Sequence, residues 1–222
     1  MKKFMRANLA GMLQKHTFDN YNFKYYPDIY CQETNCTYHQ AAQKAYNAAH
    51  NFCKEIESGN MHTRGLMFCG SIGSGKTFLA ACIANRLLSK GIEVLFAVVP
   101  DLLDTIKATY DQSKNSDYER EINILDSARN VPLLILDDLG VHNYTSWTRN
   151  KIYSIINYRV NMELPTILTT NEDMETLENY LGERTTSRIS QLCNIYMLYT
   201  PTDIRIIKNK ENRHKNSAPR LL

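Results

Sequence analysis

No apolar run in this 222-residue chain approaches the roughly 18 residues that a membrane-spanning helix needs, and the stretch between Arg6 and Lys15 is too short and too interrupted to form the core of an export signal. Both absences predict a cytoplasmic protein with no membrane partner. Charge of one sign is also scarce, since 26 Lys and Arg stand against 23 Asp and Glu for a net +3, so bulk charge does not announce a nucleic-acid binder. The excess is local. Six basic residues face two acidic ones between Pro201 and Leu222, which makes that segment +4 and the remainder −1; the tail reads as a solvated end, with phosphate contact as the alternative. Six cysteines without an export signal read as reduced thiols, with Cys69 and Cys82 inside apolar segments. Cys31, Cys36 and His39, with Cys53 as a distant fourth, fit no closed zinc pattern well.

No internal repeat or low-complexity block is present, and 43% hydrophobic residues predict one globular domain with at most a short appendage. Residues 1–40 form an aromatic-rich, irregular segment containing Phe18, Tyr21, Phe23, Tyr25 and Tyr26. Ala41 to Glu57 reads as an alanine-rich helix, after which strands and helices alternate. The expected strands are Leu66–Cys69, Ile92–Val99 (stopped by Pro100), Pro132–Asp137, Thr166–Thr170 and Ile195–Leu198. The expected helices are Lys76–Lys90, two stretches between Asp101 and Arg129 broken near Ser113–Ser116, a stripe of Ile152, Ile155, Ile156 and Val160, and the short Met174–Leu181 and Glu183–Gln191. Pro132–Asp137 is apolar until its final acid, as a strand buried on both faces requires. The pattern predicts an α/β fold: a five-stranded parallel sheet between helical layers, over residues 41–207, with a basic tail at 208–222.

Gly70, Ser71, Ile72, Gly73, Ser74, Gly75, Lys76 and Thr77 satisfy G-x4-G-K-[ST] between a strand and a helix. Glycines let successive N–H groups turn inward on a polyphosphate, the helix N-terminus adds its positive end, Lys76 reaches the outer phosphates and the Thr77 hydroxyl can hold Mg2+. Phe78 follows directly. Such a match arises by chance in about one chain of this length in a hundred, and chance explains neither flanking element. Leu133 to Asp138 ends an apolar strand in two acids: Asp137 suits the hydration shell of Mg2+, and Asp138 suits orienting or deprotonating an attacking water. Asn171, ending the next strand, reads as a neutral sensor of the γ-phosphate or as the N-cap of a helix from Glu172. Arg184 and Arg188, four apart on one helix, share a face from which an arginine can reach a neighbouring subunit's phosphate; Arg188 is the first choice.

Taken together, GSIGSGKT at 70–77, LLILDDLG at 133–140, Trp147 with Ile155-Ile-Asn-Tyr-Arg159, PTILTTN at 165–171 and LGERTTSRI at 181–189 resemble the AAA+ P-loop ATPases of the DnaC/DnaI bacterial helicase-loader group, close relatives of the IstB-type transposition ATPases. The resemblance runs from about His16 to Arg205. It implies a three-layer αβα sandwich with strand order 5-1-4-3-2, a reduced or absent lid domain, and a remnant of the helicase-binding region within 1–40. It also implies ATP/ADP and Mg2+ as cofactors and slow hydrolysis stimulated by single-stranded DNA. The implied task is loading a DnaB-type replicative helicase onto single-stranded DNA as a spiral or hexameric homo-oligomer, with Arg188 acting across subunits. Arg205 resembles a second arginine near the nucleotide, and Tyr144, Thr145 and Trp147 occupy the place of DNA contacts in relatives. The competing functions are an IstB-like transposition helper and, from other classes, a P-loop phosphotransferase or a nucleotide-stabilised adaptor.

Overall fold

A computed structural model describes residues 15–108, 115–141 and 144–217 of the chain. The helix break expected near Ser113–Ser116 lies partly outside these residues, as do residues 1–14 and the last of the basic tail, including Arg220.

Five strands form one parallel sheet: β1 (Gly65–Cys69), β2 (Val94–Val98), β3 (Leu133–Leu139), β4 (Thr166–Thr170) and β5 (Cys193–Met197). Their spatial order is β2-β3-β4-β1-β5, which is the 5-1-4-3-2 arrangement read from the other edge. Every residue of β1 and of β4 is buried, so each strand needs apolar or hydroxyl side chains on both faces. Alternation sorts them. Met67, Leu95, Leu134 and Leu136 enter one core with helices α3 (Val99–Ala108), α4 (Asn115–Asn130), α5 (Ser146–Asn161), α6 (Met174–Leu181) and α7 (Glu183–Leu192). Leu66, Phe68, Phe96 and Ile135 enter the other with helices α1 (Tyr38–Glu57) and α2 (Lys76–Ser89), and with Ile204 at the start of α8 (Ile204–Ser217).

Several boundaries differ from the sequence expectation for local reasons. Helix α1 begins three residues earlier because Thr37 and Gln40 form a capping box, each side chain bonding the other's backbone N–H. Pro100 does not simply stop a strand; it sits in the first turn of α3, where its missing N–H costs nothing. Strand β3 continues through both acids to Leu139, and β5 begins at Cys193. The segment set apart at 1–40 is continuous with the body over its described part: Tyr26 is buried in the α1–α2 core, and Phe18, Tyr21, Phe23 and Tyr25 pack against it. The boundary drawn at 208 falls inside α8, where Lys208 lies over the rings of Tyr25 and Phe78.

Arg159 is fully buried near the end of α5. Its guanidinium donates to Thr166 Oγ1 at 2.7 Å, Pro165 O at 2.6 Å and Val131 O at 2.9 Å, as well as to Ala128 O and Arg129 O. One side chain thus satisfies the carbonyls ending α4 and the entry to β4. Burial pulls its pKa down to about 9.

Candidate active site

The turn between β1 and α2 curls as the glycine pattern requires: Gly73 and Gly75 have φ of +72° and +98°, and Gly75 is the N-cap of α2. Both are also crowded from outside. A Cβ at Gly73 would lie 2.0 Å from the Asp203 carboxyl carbon, and one at Gly75 would lie 2.6 Å from the Tyr26 hydroxyl oxygen. Tyr26 donates to Ser74 O at 2.7 Å, Thr200 N donates to Ser71 Oγ at 3.2 Å, and Ile204 N donates to Gly73 O at 3.1 Å. Chain segments before β1 and after β5 therefore wall the turn on both sides.

Lys76 is 4% exposed and places its ammonium on Gly70 O at 2.9 Å and Ser71 O at 2.7 Å. These neutral acceptors leave its charge to the nearby acids, and burial lowers its pKa to about 8. A buried cation resting on main-chain carbonyls inside a ring of N–H groups fits a polyphosphate.

Thr77 Oγ1 donates to Asp137 Oδ1 at 2.9 Å, which joins the turn to the end of β3. Asp137 is 3% exposed, and desolvation, reinforced by Asp138, raises its carboxyl to about 6. A hydroxyl and a desolvated carboxylate at hydrogen-bond distance are a hard-oxygen donor pair, which fits a magnesium ion coordinated through Thr77 and Asp137.

Asp138 sits in β3 with φ +58°, uncommon for a residue other than glycine. The pairing of β3 with β4 steps from Leu136↔Leu168 to Leu139↔Thr170, so β3 carries one extra residue there. This bulge reverses the alternation: Leu139 joins the same core as Leu134 and Leu136, against its parity. Asp137 reaches the cradle through Thr77, and Asp138 follows it within the bulge, where the strict alternation of a regular strand no longer applies.

Thr170 pairs with Cys69, which brings Asn171 level with Gly70 at the strand ends, between cradle and acids. Asn171 is not a helix cap, because α6 starts at Met174 with Asp173 accepting from Thr176 N at 2.7 Å. Arg205 stands beside the cradle, its Nε donating to the Asp203 carboxylate at 3.2 Å. Next to Gly75 and Phe78 a small pocket opens between Tyr21, Tyr25, Tyr26, Ile204 and Lys208. Sequence reasoning missed these walls and the buried hydroxyl of Thr169, which donates to Asp137 Oδ1 at 2.6 Å. The aromatic clustering at 18–26 was the available signal for the walls.

The structure does not assemble every expected residue here. Arg188 bonds Gln191 on α7, and Arg184 lines a separate cleft of about 390 Å3 with Arg149 and Tyr153. Tyr144 takes Gly140 N on its hydroxyl at 3.0 Å and stacks near Tyr180, Thr145 caps α5, and Trp147 packs against the core beneath Lys151. Of the three residues expected to touch DNA, Thr145 and Trp147 fix the start of α5, and Tyr144 ties the segment before it to Gly140 and Tyr180.

Comparison with known proteins gives the family and the fold. Residues 40–194 match the family of IstB-like ATP binding proteins, and the chain belongs to that family. It is similar to the replicative helicase loader DnaC of Escherichia coli K12, at 28% identity over 89% of this chain and 72% of the relative. Among solved structures it resembles the DnaC helicase loader (TM-score 0.67, 27% identity, 85% of this chain and 99% of that one) and DnaI (TM-score 0.65, 29% identity, 84% and 92%).

Proposed function

We propose that this member of the IstB-like ATP-binding family is a magnesium-dependent ATPase switch that loads a DnaB-type replicative helicase onto single-stranded DNA. The single observation that carries the catalytic part is the Thr77–Asp137 contact, which closes the cradle onto the acid strand. Likeness to helicase loaders along 89% of the chain supports the biological part.

Bound ATP with magnesium supplies the anhydride to be cleaved and the metal charge that eases the cleavage. The turn's N–H groups hold the phosphates, and Lys76 moves from Gly70 O and Ser71 O to a phosphate oxygen. Thr77 and Asp137 hold the metal. Asp138, held in the bulge, orients the attacking water and accepts its proton. Asn171 hydrogen-bonds the γ-phosphate or that water without adding charge. Arg205 leaves Asp203 for the phosphates. Arg188 acts on the nucleotide of a neighbouring subunit in an ATP-assembled arc, and Arg184 is the alternative on the same helix.

The test is ATP hydrolysis with and without single-stranded and duplex DNA, alongside sedimentation and a helicase-loading assay. Slow turnover, stimulation by single strands and ATP-dependent assembly are expected. Preferential stimulation by duplex DNA would favour a transposition helper, and no hydrolysis at all would leave an adaptor. Mixing Arg188→Ala with Lys76→Ala subunits should restore part of the activity; no restoration removes Arg188 from the interface.

A further inference from the structure

Thr169 belongs to none of the motif positions given a role above, yet it is fully buried between the two acids. Its hydroxyl donates to Asp137 Oδ1 at 2.6 Å and accepts the backbone N–H of Asp138 at 3.0 Å. The same carboxylate oxygen receives Thr77 Oγ1 at 2.9 Å, so two hydroxyls from different elements fix one oxygen and leave Oδ2 for other work. The Asp138 N–H needs this acceptor because the bulge removes it from the ladder: pairing resumes only at Leu139↔Thr170.

The hydroxyl also addresses the backbone at its strained point. Asp138 has φ +58°, a left-handed conformation sparsely populated by residues other than glycine and sustained where surroundings hold it. Threonine is suited to the task because one hydroxyl can donate and accept at once. Valine has the same shape and can do neither.

We infer that Thr169 is a positioning residue that sets both acids through one hydroxyl, orienting Asp137 for the metal and locking the bulge that carries Asp138. It lies on β4, two residues before Asn171, so the strand carrying the sensor also fixes the acids. This rests on the magnesium-dependent reading above.

Thr169→Val, Thr169→Ala and Thr169→Ser separate positioning from packing. Nucleotide affinity is measured by fluorescent ATP analogue titration without metal, then as a function of Mg2+, and turnover is split into kcat and KM. In both hydroxyl-free variants we expect metal-free affinity within about twofold of the parent, a Mg2+ midpoint raised at least fivefold, and kcat reduced about ten- to a hundredfold with KM little changed. Thr169→Ser should return both quantities to within about threefold. In the unmodified protein, hydrogen exchange should show the Asp138 amide protected without nucleotide.

An unchanged Mg2+ midpoint in either hydroxyl-free variant overturns the inference, as does a serine variant as impaired as valine, or a freely exchanging Asp138 amide. If the parent protein itself shows no Mg2+-dependent nucleotide binding, the ATPase reading fails instead. Should valine and alanine both fail to fold, the exchange measurement and the serine variant still decide.

Discussion

The cradle and the acid pair lie within hydrogen-bond reach of each other and are built on opposite plans. The cradle is made of main chain: eight consecutive residues curl, with Lys76 and Thr77 supplying the side chains that act and Ser71 a bond to the wall. The acids are made of side chains on a distorted strand, and their aim depends on one extra residue in β3 and on a hydroxyl from β4. A site of the first kind travels with its local sequence. One of the second kind exists only when three strands have found their register.

The sharpest way to break this comparison is to exchange the expected effects. Lys76→Ala should cost at least a hundredfold in nucleotide affinity and abolish turnover, by isothermal titration and phosphate release, because it removes the buried ammonium held on Gly70 O and Ser71 O inside the turn. Asp138→Asn should reduce turnover about a hundredfold or more while leaving affinity within about threefold. If the second change weakens binding as much as the first, the two plans are not separable.

Acidity gives a smaller and signed contrast. Burial holds Lys76 near 8, below its ordinary value of 10.5, so the nucleotide-free protein gains stability as pH rises from about 8 to 10.5 and has lost it all once pH has fallen below 8, where the ammonium must be carried buried. A bound polyphosphate needs that ammonium. Affinity should therefore fall about tenfold between pH 7 and 9, and this dependence should vanish in Lys76→Met. The smallest expected effect is at the wall: Tyr26→Phe loses one buried hydrogen bond to Ser74 O and should weaken nucleotide binding about two- to fivefold, with the thermal midpoint lowered by a few degrees.

What was legible in the sequence follows the same division. The five strands, the cradle and both acids could be read because apolar runs and a glycine-spaced motif are local signals. The N-terminal aromatics were visible as a cluster, but nothing in their spacing says that Tyr26 reaches Ser74. Pro100 reads as a stop because sequence alone cannot tell a strand's end from a helix's first turn. Asn171 could be read as a cap until the register put Asp173 in that role. The bulge was illegible, since an added residue in an apolar strand changes no composition, and with it the break in alternation at Asp138.

The cradle is gripped by segments far apart in sequence, by Tyr26 on one side and by Thr200 and Ile204 on the other. A ligand seated there clasps those segments to the turn, so its binding energy is shared among them. Proteolytic cleavage next to Tyr26 or between Thr200 and Ile204 should therefore slow when nucleotide is present.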